Sequence, residues 1–165
     1  MQKAAKRVPA ELKYIYPLYR KEFLAPGEPQ LNLELYQAAV IHLGDYQDAQ
    51  NPAGALRSGW VDSTPVQGTH PAFRDRVGPM IRGATQRLSD ARAALGSRHG
   101  RFNKAALAMI CKGEQPAKYG FTECRAPKGN PNLANAHARA DLFRALDKLR
   151  DHYLAAGRYA DDEGC

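Results

Sequence analysis

The 165-residue sequence lacks the features that mark exported and membrane-bound proteins. It has no apolar run near the roughly 18 to 20 residues that a membrane span requires, and no hydrophobic stretch follows its basic N-terminus. Its three cysteines, Cys111, Cys124 and Cys165, are an odd number without close pairing, which is a poor disulfide framework and favours a reducing compartment. We therefore expect a cytoplasmic protein without a membrane segment.

Signatures of catalysis and of metal binding are also missing. No serine or cysteine stands in a nucleophile motif, no glycine-rich phosphate loop precedes a helix, and the five histidines are scattered. Cys111, Cys124 and His137 match no zinc-site spacing and lack a fourth ligand. The only dense acidic group is 161–163, whereas a nuclease normally clusters carboxylates around divalent metal. The sequence predicts neither an enzyme nor a bound cofactor or metal.

Positive charge is concentrated in the middle of the chain. The formal net charge is +7, and residues 66–120 hold ten Lys or Arg against three Asp or Glu, whereas the flanking segments are balanced. So many cations cannot be buried in a small core without partners, so they must form a solvated surface. Such a surface can serve solubility alone, but its density and one-sidedness favour contact with the phosphates of nucleic acid.

Helical periodicity with Pro and Gly punctuation predicts a mainly α-helical protein of about five helices. A first helix, with Phe23 on its apolar face, is kinked by Pro17 and stopped by Pro26-Gly27. Asn32 is expected to cap a second helix, which runs to Gln50. Its apolar face is predicted to contain Leu35, Tyr36, Ala39, Val40, Leu43 and Tyr46.

The stretch from Asn51 to Pro71 is rich in Gly and Pro and predicts a long loop or arm, in which Trp60 is expected to pack against the body more readily than against a partner. A break at Gly78-Pro79 should then precede a helix that ends at Gly96. Arg82, Arg87 and Arg92 fall off its apolar face. That face is predicted to contain Met80, Ile81, Ala84, Leu88, Ala91 and Leu95.

The C-terminal third predicts three further helical segments. A short apolar helix around Phe102 to Ile110 should end at Gly113, a further turn lies within 114–120, and a polar loop, 121–132, leads to a long helix from about Asn132 to Gly157. A short helix, a shorter one and a long third one follow the order of a helix-turn-helix unit. The long helix is predicted to bury Leu133, Ala136, Ala140, Phe143, Leu146, Leu149 and Tyr153.

The start of the long helix offers groups that suit DNA. Asn can bond bidentately to adenine and Arg to guanine, and free backbone N–H groups at a helix start can accept a phosphate. Equally, Asn132 caps the helix and the loop is polar because it is exposed. The residues expected to contact DNA are Arg82, Arg87, Arg92, Arg98, Arg101, Lys104, Lys118, Arg125, Lys128, Asn130, Asn132, Asn135, His137 and Arg139.

Three stretches carry a resemblance to a known family: LNLELYQAAVIHLGDYQDAQ, TQRLSDARAALGSRHGRFNKAALAMICKGEQPAKYG and ADLFRALDKLRDHY. Over about 31–155 they resemble the C-terminal domain of unknown function in a family of bacterial helix-turn-helix regulators. The matching points are Leu149, Asp151, His152 and Tyr153 at the end, and Cys111, Trp60 and Ala38-Ala39 before it. The resemblance implies a DNA-binding module like region four of sigma factors, from a prophage or gene-transfer element. The chain departs from the family in lacking its separate N-terminal domain and in the segment FTECRAPKGNPN.

These observations predict an N-terminal arm or kinked helix over 1–29, a helical DNA-binding domain over 30–157 and a flexible tail over 158–165. The expected function is transcriptional regulation through double-stranded DNA, with RNA polymerase or another regulator subunit as a further partner and a homodimer as one arrangement. The alternatives are a phage adaptor or RNA-polymerase-binding module that uses the basic surface on a protein, and a small packaging protein of the terminase type.

Overall fold

The computed structural model describes residues 8–50 and 71–159, with the backbone alone over 71–82. This part of the chain is mainly α-helical and contains no strand, which confirms the predicted fold class. The predicted loop with Trp60 lies outside the described residues, apart from Pro71. The helices are α1 (Tyr16–Arg20), α2 (Pro29–Gln50), α3 (Pro71–Leu95), α4 (Arg101–Ala105), α5 (Pro116–Thr122) and α6 (Pro131–Ala155).

Two short turns complete these elements. A 3-10 turn, Ala10–Leu12, precedes α1, and a π-helical turn, Ala106–Cys111, continues α4 without a break. Gly113, at φ +64°, ends this segment as predicted and allows α5 to start after only four residues. Pro116 occupies the first turn of α5, where its missing N–H is not needed.

One hydrophobic core joins all of these elements. The long helices α2, α3 and α6 pack against one another, and α6 also packs on α4 and α5. Leu12, Ile15, Leu18 and Leu24 are buried in the same core, so the stretch before α2 contributes directly to it. The largest fully buried side chains include Leu43, Met109, Ile110, Leu142, Leu146, Leu149, Tyr119 and Tyr153.

The predicted boundaries around α1 and α2 need correction. The chain leaves the helical conformation after Arg20, since Glu22 adopts φ 57°, and Phe23 is 48% exposed instead of facing the core. The second helix begins at Pro29, so Asn32 is not its cap. The buried Asn32 side chain instead accepts a hydrogen bond from the Ala25 N–H (3.3 Å) and donates one to the Tyr19 carbonyl (2.9 Å). It ties the connection between α1 and α2 to the core.

The predicted break at Gly78-Pro79 is also wrong, because α3 runs without interruption from Pro71 to Leu95. A proline inside a helix removes one backbone hydrogen bond, and a 25-residue helix retains the others. The predicted apolar face is confirmed where side chains are described: Ala84, Leu88, Ala91 and Leu95 are buried. Gly96 ends the helix at φ +115°.

The buried face of α6 differs from the predicted one in its first half. Leu133, Ala136 and Ala140 are exposed, and on α2 the predicted core residue Val40 is 40% exposed. The first half of α6 packs through small side chains, because α5 lies too close for larger ones. The residues that α6 buries are Ala134, Ala138, Asp141, Leu142, Ala145, Leu146, Leu149 and Tyr153.

A buried polar network fixes the C-terminal end of α6 to α2 and α3. The Asp45 carboxylate, 3% exposed, accepts hydrogen bonds from Arg87 Nε of α3 (3.1 Å) and from Arg158 Nη1 beyond α6 (3.0 Å). His42 Nδ1 shares a hydrogen bond of 3.1 Å with the Tyr153 hydroxyl. Burial lowers the pKa of His42 to about 4, so its imidazole is neutral at pH 7.

Candidate nucleic-acid interface

The first turn of α6 is capped by Asn130, and not by Asn132. The Asn130 Oδ1 accepts a hydrogen bond from the Leu133 N–H (3.1 Å), and its carbonyl accepts one from the Ala134 N–H (3.1 Å). Because Pro131 has no N–H group, Asn132 is the one residue of this turn whose N–H has no acceptor among the described residues. The cap therefore leaves fewer backbone donors for a phosphate than the sequence suggests.

The first half of α6 presents a face without negative charge. The only acidic residue over 131–146 is Asp141, and it is buried, whereas Asp147 and Asp151 expose carboxylates on the second half. Two exposed alanines, Ala136 and Ala140, keep this face flat. Its other exposed side chains are polar, basic or moderately apolar: Asn132, Leu133, His137, Arg139 and Arg144.

Asp141 joins four separate parts of the chain beneath this face. Its Oδ2 accepts hydrogen bonds from the Tyr119 hydroxyl of α5 (3.3 Å) and from Cys124 Sγ in the connection before α6 (3.6 Å). Its Oδ1 lies 3.5 Å from Arg101 Nε at the start of α4. Burial, together with the Asp141 charge, raises the pKa of the Tyr119 phenol and of the Cys124 thiol, so both remain protonated donors.

The closest approach of α5 to α6 occurs at Gly120. A Cβ atom at this position would lie 2.1 Å from the carbonyl oxygen of Ala134 and 2.5 Å from its carbonyl carbon. Only glycine permits this contact, because any side chain would overlap with backbone. Gly120 and Asp141 together set the orientation of α6 relative to α5.

The connection between α5 and α6 covers 123–130, so it is shorter at both ends than the predicted loop over 121–132. Ala126 is buried, and its N–H donates to the Gly120 carbonyl (3.1 Å), which anchors the middle of the connection. Arg125, at φ 54°, and Lys128 are exposed on either side of this anchor. Both cations therefore lie next to the start of α6.

Three predicted contact residues form ion pairs at the surface. Arg101 pairs with Asp141, while Lys104 lies 3.4 Å from Glu123 and Lys118 lies 4.0 Å from Glu114. The Lys104 and Lys118 side chains are half or more exposed, so their two pairs contribute little and can yield to a phosphate. Among the described residues, no carboxylate lies within 4.0 Å of the cationic groups of Arg92, Arg98, Arg125, Lys128 or Arg139.

The residues predicted to contact DNA do not form one surface patch. Arg87 pairs with Asp45 near Tyr153, and Tyr153 lies 21 residues after Asn132 on the same helix, which is about 30 Å at 1.5 Å per residue. Arg92 lies five residues further along α3, where its carbonyl accepts a hydrogen bond from the Asn103 side chain of α4 (3.0 Å). The side chain of Arg82 lies outside the described part. Asn135 is half-buried, on the core side of α6.

Sequence reasoning missed two basic residues that lie near the predicted ones. Arg144 is exposed one turn beyond Asp141, and Lys148 Nζ lies 5.4 Å from the ring centroid of Phe102 on α4. In the sequence both belong to a run of alternating basic and acidic residues, a pattern that is typical of a solvated helix face. Their positions at seven and eleven residues after His137, on one edge of the helix, are the signal that identifies them.

Other kinds of site find no support in the part of the chain that the structure describes. It contains no cluster of three or more His, Cys, Asp or Glu side chains arranged to hold a metal ion. Burial raises the pKa of the Cys111 thiol to about 12, which makes it an inert core group. No helix there has the length and apolar character needed to cross a bilayer. Comparison with known protein families, curated proteins and solved structures finds no match.

Proposed function

We propose that this chain binds double-stranded DNA as a transcriptional regulator, with the first half of α6 facing the major groove. The observation that carries the proposal is the exposed face of that half-helix, which contains no carboxylate, while Arg125 and Lys128 lie beside its start. A carboxylate on this face would be repelled by phosphates, so its absence over four turns suits a polyanion.

The dimensions and side chains of α6 fit direct contact with bases. An α-helix of about 10 to 12 Å diameter enters a major groove about 12 Å wide, and exposed Ala136 and Ala140 keep the helix surface slim. Asn132, His137 and Arg139 supply the donors and acceptors for base edges and phosphates. In this arrangement Arg125 and Lys128 hold the backbone and set the register.

The supports beneath the helix favour a fixed binding surface. Asp141 ties α6 to α4, α5 and the connection, and Gly120 holds the two helices in backbone contact. A surface whose orientation is set before binding loses less conformational entropy on forming a complex. The connection of eight residues is longer than the three- to four-residue turn of the standard helix-turn-helix, so the proposal rests on the surface of α6 and not on that motif.

The test is a fluorescence-anisotropy titration of the full chain against random duplex DNA and promoter fragments of the source genome, at several salt concentrations. The double variant Arg125→Gln/Lys128→Gln should reduce the slope of log affinity against log salt by about 2. The matched control Arg20→Gln/Lys21→Gln removes the same charge from exposed positions at α1 and should leave the slope unchanged. Preference for one fragment would identify a regulator, and no binding near 50 mM salt would overturn the proposal.

One observation favours a second candidate, which is docking on a protein such as RNA polymerase. Leu133 is 37% exposed in the first turn of the carboxylate-free face, and a leucine beside basic residues also suits an apolar and acidic protein surface. If DNA binding is absent, Leu133→Ser should abolish capture of RNA polymerase by the immobilised chain. Capture that survives this change would exclude the α6 face as the docking surface.

A further inference from the structure

A second basic surface lies where α4 begins beside the middle of α6. We call it the α4–α6 ridge, and it consists of Arg101, Phe102, Arg144 and Lys148. Arg101 reaches Asp141 of α6 at 3.5 Å, and Lys148 lies over the Phe102 ring at 5.4 Å. Arg144 stands three residues after Asp141 and four before Lys148, so it lies between these two contacts on the same edge of the helix.

The carboxylate that Arg101 contacts beside this ridge already has other hydrogen-bond donors. Asp141 is buried and accepts hydrogen bonds from Tyr119 and Cys124, so it does not depend on Arg101 alone. The Arg101 side chain is 68% exposed, which leaves most of its guanidinium open to another anion. Among the described residues, no carboxylate lies within 4.0 Å of the cationic groups of Arg144 or Lys148. No ion pair therefore occupies Arg144 or Lys148, and the nearest exposed carboxylate on α6 is Asp147, which is close enough to Arg144 to interact with its charge.

The position of the ridge continues the surface at the start of α6. Arg144 is twelve residues after Asn132 and Lys148 is sixteen, which places them about 18 and 24 Å further along the helix. Since B-DNA rises about 3.4 Å per base pair and a helix in the groove is inclined to the duplex axis, a helix contact of about 24 Å spans at most about seven base pairs. A DNA backbone that follows one edge of the groove occupied by α6 can therefore reach both the start of α6 and the ridge.

We infer that the α4–α6 ridge binds the phosphodiester backbone of the strand that flanks the groove entered by α6. Arg101 and Arg144 can bond two phosphate oxygens at once, whereas Lys148 is a point charge whose ammonium group lies over the Phe102 ring. The inference rests on the proposed function, because it assumes that α6 lies against duplex DNA. It assigns a phosphate-contact role to Arg144 and Lys148, and it gives α4 a contact that is independent of base sequence.

The experiment compares two double variants of the full chain by anisotropy with duplex DNA over a range of salt. Arg144→Gln/Lys148→Gln should lower the salt slope by about 2 and weaken binding at 100 mM salt by about tenfold or more. The loss should be the same for random and preferred fragments, because phosphate contacts do not read sequence. Arg20→Gln/Lys21→Gln is again the charge-matched control, and circular dichroism checks that every variant is folded.

The outcomes separate this inference from the proposed function. If Arg125→Gln/Lys128→Gln weakens binding while Arg144→Gln/Lys148→Gln binds like the unaltered protein, the ridge assignment is wrong and the proposed function stands. If the unaltered chain does not bind DNA, both the proposed function and the ridge assignment are wrong. A second variant gives a change in the opposite direction: Asp147→Asn/Asp151→Asn removes the exposed carboxylates on either side of Lys148 and should tighten binding if phosphates pass there. Unchanged affinity of this variant also contradicts the inference.

Discussion

Replacement of Gly120 by alanine tests the packing that orients α6. The added Cβ would lie 2.1 Å from the carbonyl oxygen of Ala134 and 2.7 Å from its Cα, so α5 and α6 must separate by about 1 Å to restore contact distances. Overpacking of this kind costs roughly 1 to 3 kcal/mol, and more where backbone must move. Because the obstacle here is backbone, we expect a loss of about 3 kcal/mol in the free energy of unfolding.

Helix propensity alone predicts the opposite sign. Alanine is more favourable than glycine in a helix by about 1 kcal/mol, so Gly120→Ala would stabilise an isolated α5. Gly44→Ala provides the matched control, because nothing lies within 4 Å of its Cβ position in the middle of α2. The free energy of unfolding of that variant should increase by roughly 0.5 to 1 kcal/mol. Urea unfolding followed by circular dichroism measures both changes, and a Gly120→Ala protein as stable as the unaltered one would refute the packing argument.

Three further predictions concern groups that hold the fold. Asn130→Ala should lower the free energy of unfolding by about 1 kcal/mol because it removes the side chain that caps α6, while Asn130→Asp should retain most of the stability. If urea unfolding finds the alanine variant as stable as the unaltered protein, Asn130 does not act as a cap. Asp45→Asn should lower the free energy of unfolding by about 2 kcal/mol, which is less than for a fully buried ion pair because Arg87 and Arg158 keep solvent contact. A smaller loss when the same change is made in an Arg87→Gln background would show that Asp45 and Arg87 are energetically coupled. Burial lowers the pKa of His42 to about 4 in the folded chain, so between pH 6.5 and 4 only the unfolded chain gains a proton at this residue. The free energy of unfolding should therefore fall by up to about 3 kcal/mol over this pH range. The variant His42→Gln should lose this part of the pH dependence.

The helices could be predicted where apolar residues of large volume recur at helical spacing. Leu35, Ala39 and Leu43 on α2 lie in the core as expected, and so do Leu88 and Leu95 on α3. The first half of α6 could not be predicted in the same way. It is rich in alanine, and alanine fits either a buried or an exposed face, so the backbone contact at Gly120 decides which alanines are covered.

Buried polar groups show a second limit of sequence reasoning. His42 and Asp45 follow Leu35 and Ala38 on one stripe of α2, and this position on an apolar face indicates burial. Their partners, however, come from α3 and from the end of α6, more than forty and more than one hundred residues away in sequence. Asp141 is a similar case, since its neighbours Arg101 and Tyr119 belong to separate helices.

The candidate interface was predictable in residue type but not in extent. Arg125, Lys128, Asn132, His137 and Arg139 do lie around the exposed start of α6 or the connection before it. Arg87 is found at the other end of α6, because the packing of α3 on α2 carries it there. Net charge along the chain does not find the location at the start of α6, since the excess of positive charge lies in 66–120, whereas Arg125, Lys128 and Arg139 belong to the balanced C-terminal segment.

The most direct test of the account places one carboxylate on the α6 face. Ala136→Asp changes an exposed alanine in the first half of α6, and Ala93→Asp makes the same change at an exposed position on α3. We measure the affinity of each for duplex DNA by anisotropy, with urea unfolding as a check on stability. The account predicts binding weaker by tenfold or more for Ala136→Asp, since like charges facing each other cost on the order of a few kcal/mol, and little change for Ala93→Asp. Equal affinities of the two variants would contradict the central claim that α6 faces DNA.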